Sequence, residues 1–146
     1  MPGRYVATPL SDPPVTDPRP LVLVADDYPE NRRLFVLYLA KAYEVVEASS
    51  GEEVLSVLAA CPAERPIEAA LLDLNYQGGL SGFDLVRHVR ADARWSGLPL
   101  VALTAHASPE DRDRCLAAGF DAYLSKPVFR GPMLETVAGL LARATA

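Results

Sequence analysis

Three short apolar runs, each ending in a polar residue, constrain this chain more than any other feature. Leu21-Val-Leu-Val-Ala25 runs into Asp26-Asp27, Ala69-Ala-Leu-Leu72 into Asp73, and Leu98-Pro-Leu-Val-Ala-Leu103 into Thr104. Continuous apolar strands of this kind belong to parallel sheets covered on both faces. Such sheets bind ligands outside the carboxyl ends of their strands. The runs therefore deliver Asp26, Asp27, Asp73 and Thr104 to one edge, which makes a site before any further argument.

The segments between the runs read as helices and shorter strands. A helix from about Pro29 to Lys41 opens with proline, whose missing N–H costs nothing in a first turn. Its Leu34, Leu37 and Tyr38 are expected on one face. Tyr43–Ala48 alternates and predicts a second strand. Ser50 and Glu53 have the spacing of a capping box; the helix they open is expected to bury Val54, Leu55 and Leu58 and to stop before Pro62. The third strand is expected over Ile67–Leu72. The loop Asn75–Leu80 contains Gly78 and Gly79, and leads to a cap from Ser81 to Asp84. The helix after it carries Phe83, Val86 and Val89 at helical spacing. A fourth strand, Leu98–Leu103, is followed by Ser108-Pro109, which opens a helix to about Ala118, with Gly119 as a left-handed stop. Asp121–Leu124 predicts a fifth strand, and a last helix from about Gly131 to Arg143 presents Leu134, Val137, Leu140 and Leu141. Strands and helices alternate throughout. That is an α/β pattern: a doubly wound parallel sheet with right-handed crossovers and helices on both faces.

The 146 residues fit one domain, and a half-hydrophobic composition supplies a core. Residues 1–20 hold six of the thirteen prolines and almost no apolar periodicity. They are expected to form a Pro-rich flexible tail ahead of a folded domain over 21–146. A net charge of −5 argues against a sequence-independent grip on nucleic acid. No apolar run approaches membrane-spanning length, and the first residues lack the blocks of a secretory signal. A cytoplasmic protein with no membrane partner is expected. Cys61 and Cys115 lack metal-ligand spacing and read as small apolar residues on helices.

Lys126 follows the fifth strand and reaches the same edge. Carboxylates gathered there repel one another and raise each other's pKa. A divalent cation offsets that cost, and Mg²⁺ suits a few hard oxygen ligands. One carboxylate can instead act as a nucleophile and form an acyl phosphate. The oxygens of a transferring phosphoryl group need neutralising by cations and hydrogen-bond donors. Lys126, the Thr104 hydroxyl and the Ala105 N–H are placed to do this.

Asp26-Asp27, Asp73, Thr104-Ala105 and Lys126-Pro127, each after its strand, resemble the receiver domain of bacterial response regulators, the CheY-like superfamily. The similarity covers about residues 21–143. It implies a flavodoxin-like sheet of order 2-1-3-4-5. By position, Asp73 would be the phosphoacceptor, fed by a phosphohistidine on a sensor histidine kinase or histidine phosphotransfer protein. Mg²⁺ would be held by Asp27 and Asp73, by Asp26 largely through water, and by the backbone carbonyl of Asn75. Lys126 would bridge to the phosphate and to Asp73, and the Lys126-Pro127 bond would be cis. Thr104 and Tyr123 would form the switch that remodels the face of helix four, strand five and helix five, toward a downstream protein target or a homodimer. Such a domain is a phosphoacceptor with weak self-phosphorylation and self-dephosphorylation, not a turnover enzyme. Asp27-Tyr-Pro-Glu-Asn31-Arg32 further resembles receivers of hybrid sensor kinases. The loop after Asp73 departs from the family: Gln77 stands where a proline is common, and Gly78-Gly79-Leu80 adds about one residue. Asn75 and His106 stand two residues beyond Asp73 and Thr104, at positions that in the family tune phosphate lifetime.

Each residue alone has a plainer reading. Asp26-Asp27 can cap a helix, Lys126 can be a surface charge, and Thr104 can end a strand. Tyr123 can simply pack, as can Trp95, and His106 and His88 can be solvated. Arg112 and Arg114, with Asp111 and Asp113, read as the solvated side of helix four. Convergence on one edge favours the phosphoacceptor. The rivals are a phosphorylation-independent pseudo-receiver, a small Mg²⁺-dependent phosphohydrolase and a flavodoxin-like cofactor binder. The hydrolase group usually has Asp-x-Asp where this chain has adjacent acids, and the carboxylates would repel an anionic cofactor.

Overall fold

The computed structural model describes residues 18–75, 78–105 and 108–145. Five strands, β1 (Leu21–Ala25), β2 (Glu44–Ala48), β3 (Ala69–Asp73), β4 (Leu100–Thr104) and β5 (Ala122–Ser125), alternate with five helices. The helices are α1 (Pro29–Leu39), α2 (Gly51–Ala60), α3 (Gly82–Ala91), α4 (Pro109–Ala118) and α5 (Arg130–Thr145). The strands form one parallel sheet in the order β2-β1-β3-β4-β5. This is the flavodoxin-like, doubly wound arrangement expected.

The three apolar runs become the central strands, and every residue of β1, β3 and β4 is buried. Alternate side chains leave opposite faces of a strand. Leu23, Ala70, Leu72, Leu100 and Ala102 therefore pack with Val54, Leu58, Leu85, Val86, Val89 and Cys115 of α2, α3 and α4. Val22, Val24, Leu71, Val101 and Leu103 pack on the other face with Phe35 and Leu39 of α1, and with Met133, Val137 and Leu140 of α5. Among the described residues no helix is long and apolar enough to cross a membrane.

The face of α1 differs from the expectation. Leu34 and Leu37 are 41% and 68% exposed, while Phe35 and Leu39 are buried and Tyr38 is partly so. The run Leu34-Phe-Val-Leu-Tyr-Leu39 offers more apolar residues than one stripe can hold. The side that meets α5 and the sheet is fixed by tertiary packing, including the Tyr38 hydroxyl, which donates to the Val128 carbonyl at 3.2 Å.

Two strands, β3 and β4, start two residues later than expected. Ile67 and Leu98 are buried but precede the ladders, and Pro99 has no N–H to give. Both strands also run one residue further than expected, so Asp73 pairs with Leu103 and Thr104 with Ser125. At the same amino end of the sheet, Arg90 donates to the carbonyls of Gly119, Ser96 and Leu98 and to the Asp121 carboxylate.

Helix α3 has the full capping box of Ser81 and Asp84. In α2 only half forms: Ser50 Oγ accepts from Glu53 N–H, but the Glu53 carboxylate accepts from the Ser49 N–H and hydroxyl, one residue earlier than expected. Gly119 ends α4 at φ 123°, a conformation that favours glycine.

Candidate functional site

The carboxyl ends of β1 and β3 use the same local device. After β1, the Tyr28 N–H donates to Asp26 Oδ1 at 2.9 Å. After β3, the Asn75 N–H donates to Asp73 Oδ1 at 3.0 Å. Each is an Asx turn, in which a strand-end carboxylate accepts from the backbone two residues on. Each turn fixes its carboxylate at the sheet edge while the chain leaves for the next helix. Asp26 and Asp73 are consequently buried, and Asp27 is half-buried.

Lys126 joins them. The Lys126 N–H donates to the Thr104 carbonyl at 2.7 Å, which anchors the residue beside the end of β4. The peptide bond from Lys126 to Pro127 is cis, as the resemblance implied. Lys126 Nζ lies 3.1 Å from Asp26 Oδ2 and 3.0 Å from Asp73 Oδ2. Carboxylate oxygens of Asp26, Asp27 and Asp73 all lie within 4.8 Å of one another. Thr104 is buried at the same edge and Ala105 is exposed just beyond it.

Burial pushes the Asp73 carboxyl above the ordinary carboxylate range. The Asn75 N–H and Lys126 pull it down, the Asp26 charge pushes it up again, and the net direction is upward. Burial also pulls Lys126 down, but its hydrogen bonds and charge contacts with Asp73 and Asp26 outweigh that and raise it. One ammonium thus serves two carboxylates, with a third beside them. Three carboxylates, two directly after β1 and one at the end of β3, offer hard oxygen donors that fit a small divalent cation, and Mg²⁺ meets that description.

Most site positions read from the sequence come to this edge. Tyr123 stands apart, half-buried and packed against the α2–α4 side of the core, with Ala102 its register partner. For Asn75 the observed contact is its N–H to Asp73. Gln77 and His106 lie outside the described residues. His88 is exposed, Trp95 packs against the core under the Arg94 guanidinium, and Arg114 lies over the Phe83 ring. A cleft of about 630 Å³ bordered by Leu58, Pro62, Trp95 and Leu98 lies at the amino ends of β3 and β4, away from the acids.

Three contributors escaped the sequence reading. Asn31 Nδ2 lies 3.4 Å from Asp26 Oδ2. Arg32 Nη1 donates to the Asp26 carbonyl at 2.7 Å, and its Nε pairs with Glu47 of β2 at 3.3 Å. Glu52 of α2 accepts from the Leu80 N–H at 3.1 Å and so holds the loop that leads from Asp73 to α3. The spacing of Asn31 and Arg32, one helical turn beyond Asp27, was the available signal. Nothing local marks Glu52.

Residues 22–138 match the family described as "Response regulator receiver domain". The sensor histidine kinase RcsC of Salmonella typhi is 35% identical over 119 residues, covering 81% of this chain and 12% of that protein. The sensory/regulatory protein RpfC of Xanthomonas campestris pv. campestris is 35% identical over 123 residues, covering 82% of this chain and 16% of that protein. The chain thus spans a small part of the length of these relatives. Among solved structures, the chemotaxis response regulator CheY4 of Vibrio cholerae aligns with a TM-score of 0.76 at 27% identity, over 84% of this chain and 98% of that one. A response regulator receiver protein from Pseudomonas putida aligns with a TM-score of 0.73 at 34% identity, over 83% of this chain and 97% of that one. Fold, acidic edge and relatives agree, and the chain belongs to the response regulator receiver domain family of two-component signalling.

Proposed function

We propose that this domain accepts a phosphoryl group on Asp73 in a Mg²⁺-dependent reaction. The observation that carries the reading is Lys126 bridging Asp26 and Asp73 beside Asp27 at the carboxyl edge of the sheet. Asp27, Asp73 and the Asn75 carbonyl would hold the cation, with Asp26 acting largely through water. When bound, the cation neutralises charge on the phosphoryl oxygens and between the acids. The donor is a phosphohistidine of a sensor histidine kinase or a histidine phosphotransfer protein. Its P–N bond breaks, an Asp73 oxygen forms the new bond to phosphorus, and the imidazole nitrogen keeps the freed electron pair. Lys126, the Thr104 hydroxyl and the Ala105 N–H take up the charge on the phosphoryl oxygens.

The signal then passes by population shift. Contacts of the phosphoryl group with Thr104 favour one of two arrangements, and Tyr123 follows. The altered surface is α4, β5 and α5, which meets a downstream protein or a second copy of the domain, in the cytoplasm. The protein is a phosphoacceptor with weak self-catalysis rather than a turnover enzyme. Incubation with Mg²⁺ and phosphoramidate, read by intact mass, is expected to add one phosphoryl group to wild type and none to Asp73→Ala. No adduct on wild type overturns the reading and leaves a phosphorylation-independent interaction module.

A further inference from the structure

Asn31 and Lys126 address the same oxygen. Lys126 Nζ is 3.1 Å from Asp26 Oδ2, and Asn31 Nδ2 is 3.4 Å from it. Asp26 Oδ1 is taken by the Tyr28 N–H at 2.9 Å. The Asp26 carbonyl is taken by Arg32 Nη1 at 2.7 Å. The first turn of α1 therefore grips Asp26 by side chain and main chain at once. Lys126 is a shared partner: it also reaches Asp73 Oδ2 at 3.0 Å. A phosphoryl group on Asp73 brings new anionic oxygens beside that ammonium. Any shift of Lys126 toward them takes its charge and its hydrogen bond away from the buried Asp26 carboxylate. A buried carboxylate that loses a donor is costly and free to turn.

We propose that Asn31 is a positioning residue for the phosphorylated state, keeping the Asp26 carboxylate in place when Lys126 turns to the phosphoryl group. The inference rests on the phosphoacceptor reading. Its 3.4 Å contact is long while Lys126 shares the oxygen, and it shortens when Lys126 leaves. Arg32 differs: it holds the main chain of Asp26 in both states.

The test is a pair of titrations on the full chain, followed by amide NMR: Mg²⁺ alone, and beryllofluoride, a phosphoryl mimic, at saturating Mg²⁺. For Asn31→Ala the Mg²⁺ affinity of the free domain is expected within about twofold of wild type. Its beryllofluoride affinity is expected to fall by about tenfold, the scale of one hydrogen bond to a charged group. A thermal melt without ligand is expected to change little. Arg32→Ala, in contrast, is expected to weaken both titrations together. Beryllofluoride binding by Asn31→Ala equal to wild type overturns the inference, as does an equal loss in both titrations, which marks a general structural role. Wild type that binds neither ligand overturns the phosphoacceptor reading itself, so the two failures are distinguishable.

Discussion

Burial opposes the charge of the Asp73 carboxylate. Burial raises its pKa in the fold, so the folded state holds the proton more tightly than the unfolded chain does. The stabilisation from that proton is complete below the unfolded carboxylate pKa and is lost as pH rises through the folded value. In chelator, wild type is therefore expected to lose stability relative to Asp73→Asn as pH climbs from about 4 toward neutrality, where carboxylates ionise. At neutral pH Asp73→Asn is expected to melt higher by about 3 °C, the equivalent of roughly 1 kcal/mol in a domain of this size. Added Mg²⁺ closes the gap by stabilising wild type. Thermal melts across pH, with chelator and with Mg²⁺, check both statements; a gap that does not depend on pH contradicts them. Lys126→Ala acts in the opposite sense. It leaves Asp26 and Asp73 without their shared cation, and with the Lys126 side chain 20% exposed a loss of about 1–3 kcal/mol is expected, below the full cost of breaking a buried pair. Urea unfolding without metal measures it.

At the scale of elements, helix starts and close approaches decide how well the edge is held. Helix α3 begins directly over β3: a Cβ on Gly82 would lie 2.6 Å from the Asp73 carbonyl oxygen and 2.6 Å from Leu74 Cα. Those atoms are backbone and cannot swing aside. Gly82→Ala is expected to displace the start of α3, lower the melting temperature and weaken Mg²⁺ binding together. Ser81→Ala removes only the cap and is expected to cost about 1 kcal/mol with Mg²⁺ affinity largely kept. Parallel urea and Mg²⁺ titrations separate the two. Helix α1 supplies a contrast within three residues. Leu39→Ala, fully buried, is expected to cost about 2–5 kcal/mol. Leu37→Ala, largely exposed, is expected to stay within about 0.5 kcal/mol of wild type. Equal losses would contradict the observed orientation of α1.

For the molecule as a whole, the sheet separates chemistry from packing. The acids sit where β1 and β3 leave the sheet, and Arg90 ties the opposite end. Thr104 sits at the acidic edge, while Tyr123 lies along β5 against the α2–α4 side of the core. With beryllofluoride and Mg²⁺, amide shifts in wild type are expected to extend from the acids through β5 into α4. In Thr104→Ala they are expected to stay near Asp26, Asp27 and Asp73. Shifts that reach α4 equally in both proteins would contradict the proposed switch role of Thr104.

The order of strands and helices, the central strands and the residues at their ends were legible in the sequence, because buried parallel strands are written as unbroken apolar runs and the polar residue that ends each run falls at the sheet edge. Asp26, Asp27, Asp73 and Thr104 needed nothing more to be placed together, and Lys126 joined them by following the short fifth strand. Only tertiary structure decided which side of α1 is buried, since Leu34-Phe-Val-Leu-Tyr-Leu39 is apolar nearly all round and contact with α5 and the sheet chooses Phe35 and Leu39. It also decided that Glu52 holds the loop after Asp73 and that Asn31 and Arg32 grip Asp26. The Asn31 and Arg32 contacts lie within one turn of the acids and left a spacing in the sequence, whereas the Glu52 contact depends on how α2 docks beside α3, of which periodicity along the chain carries no record.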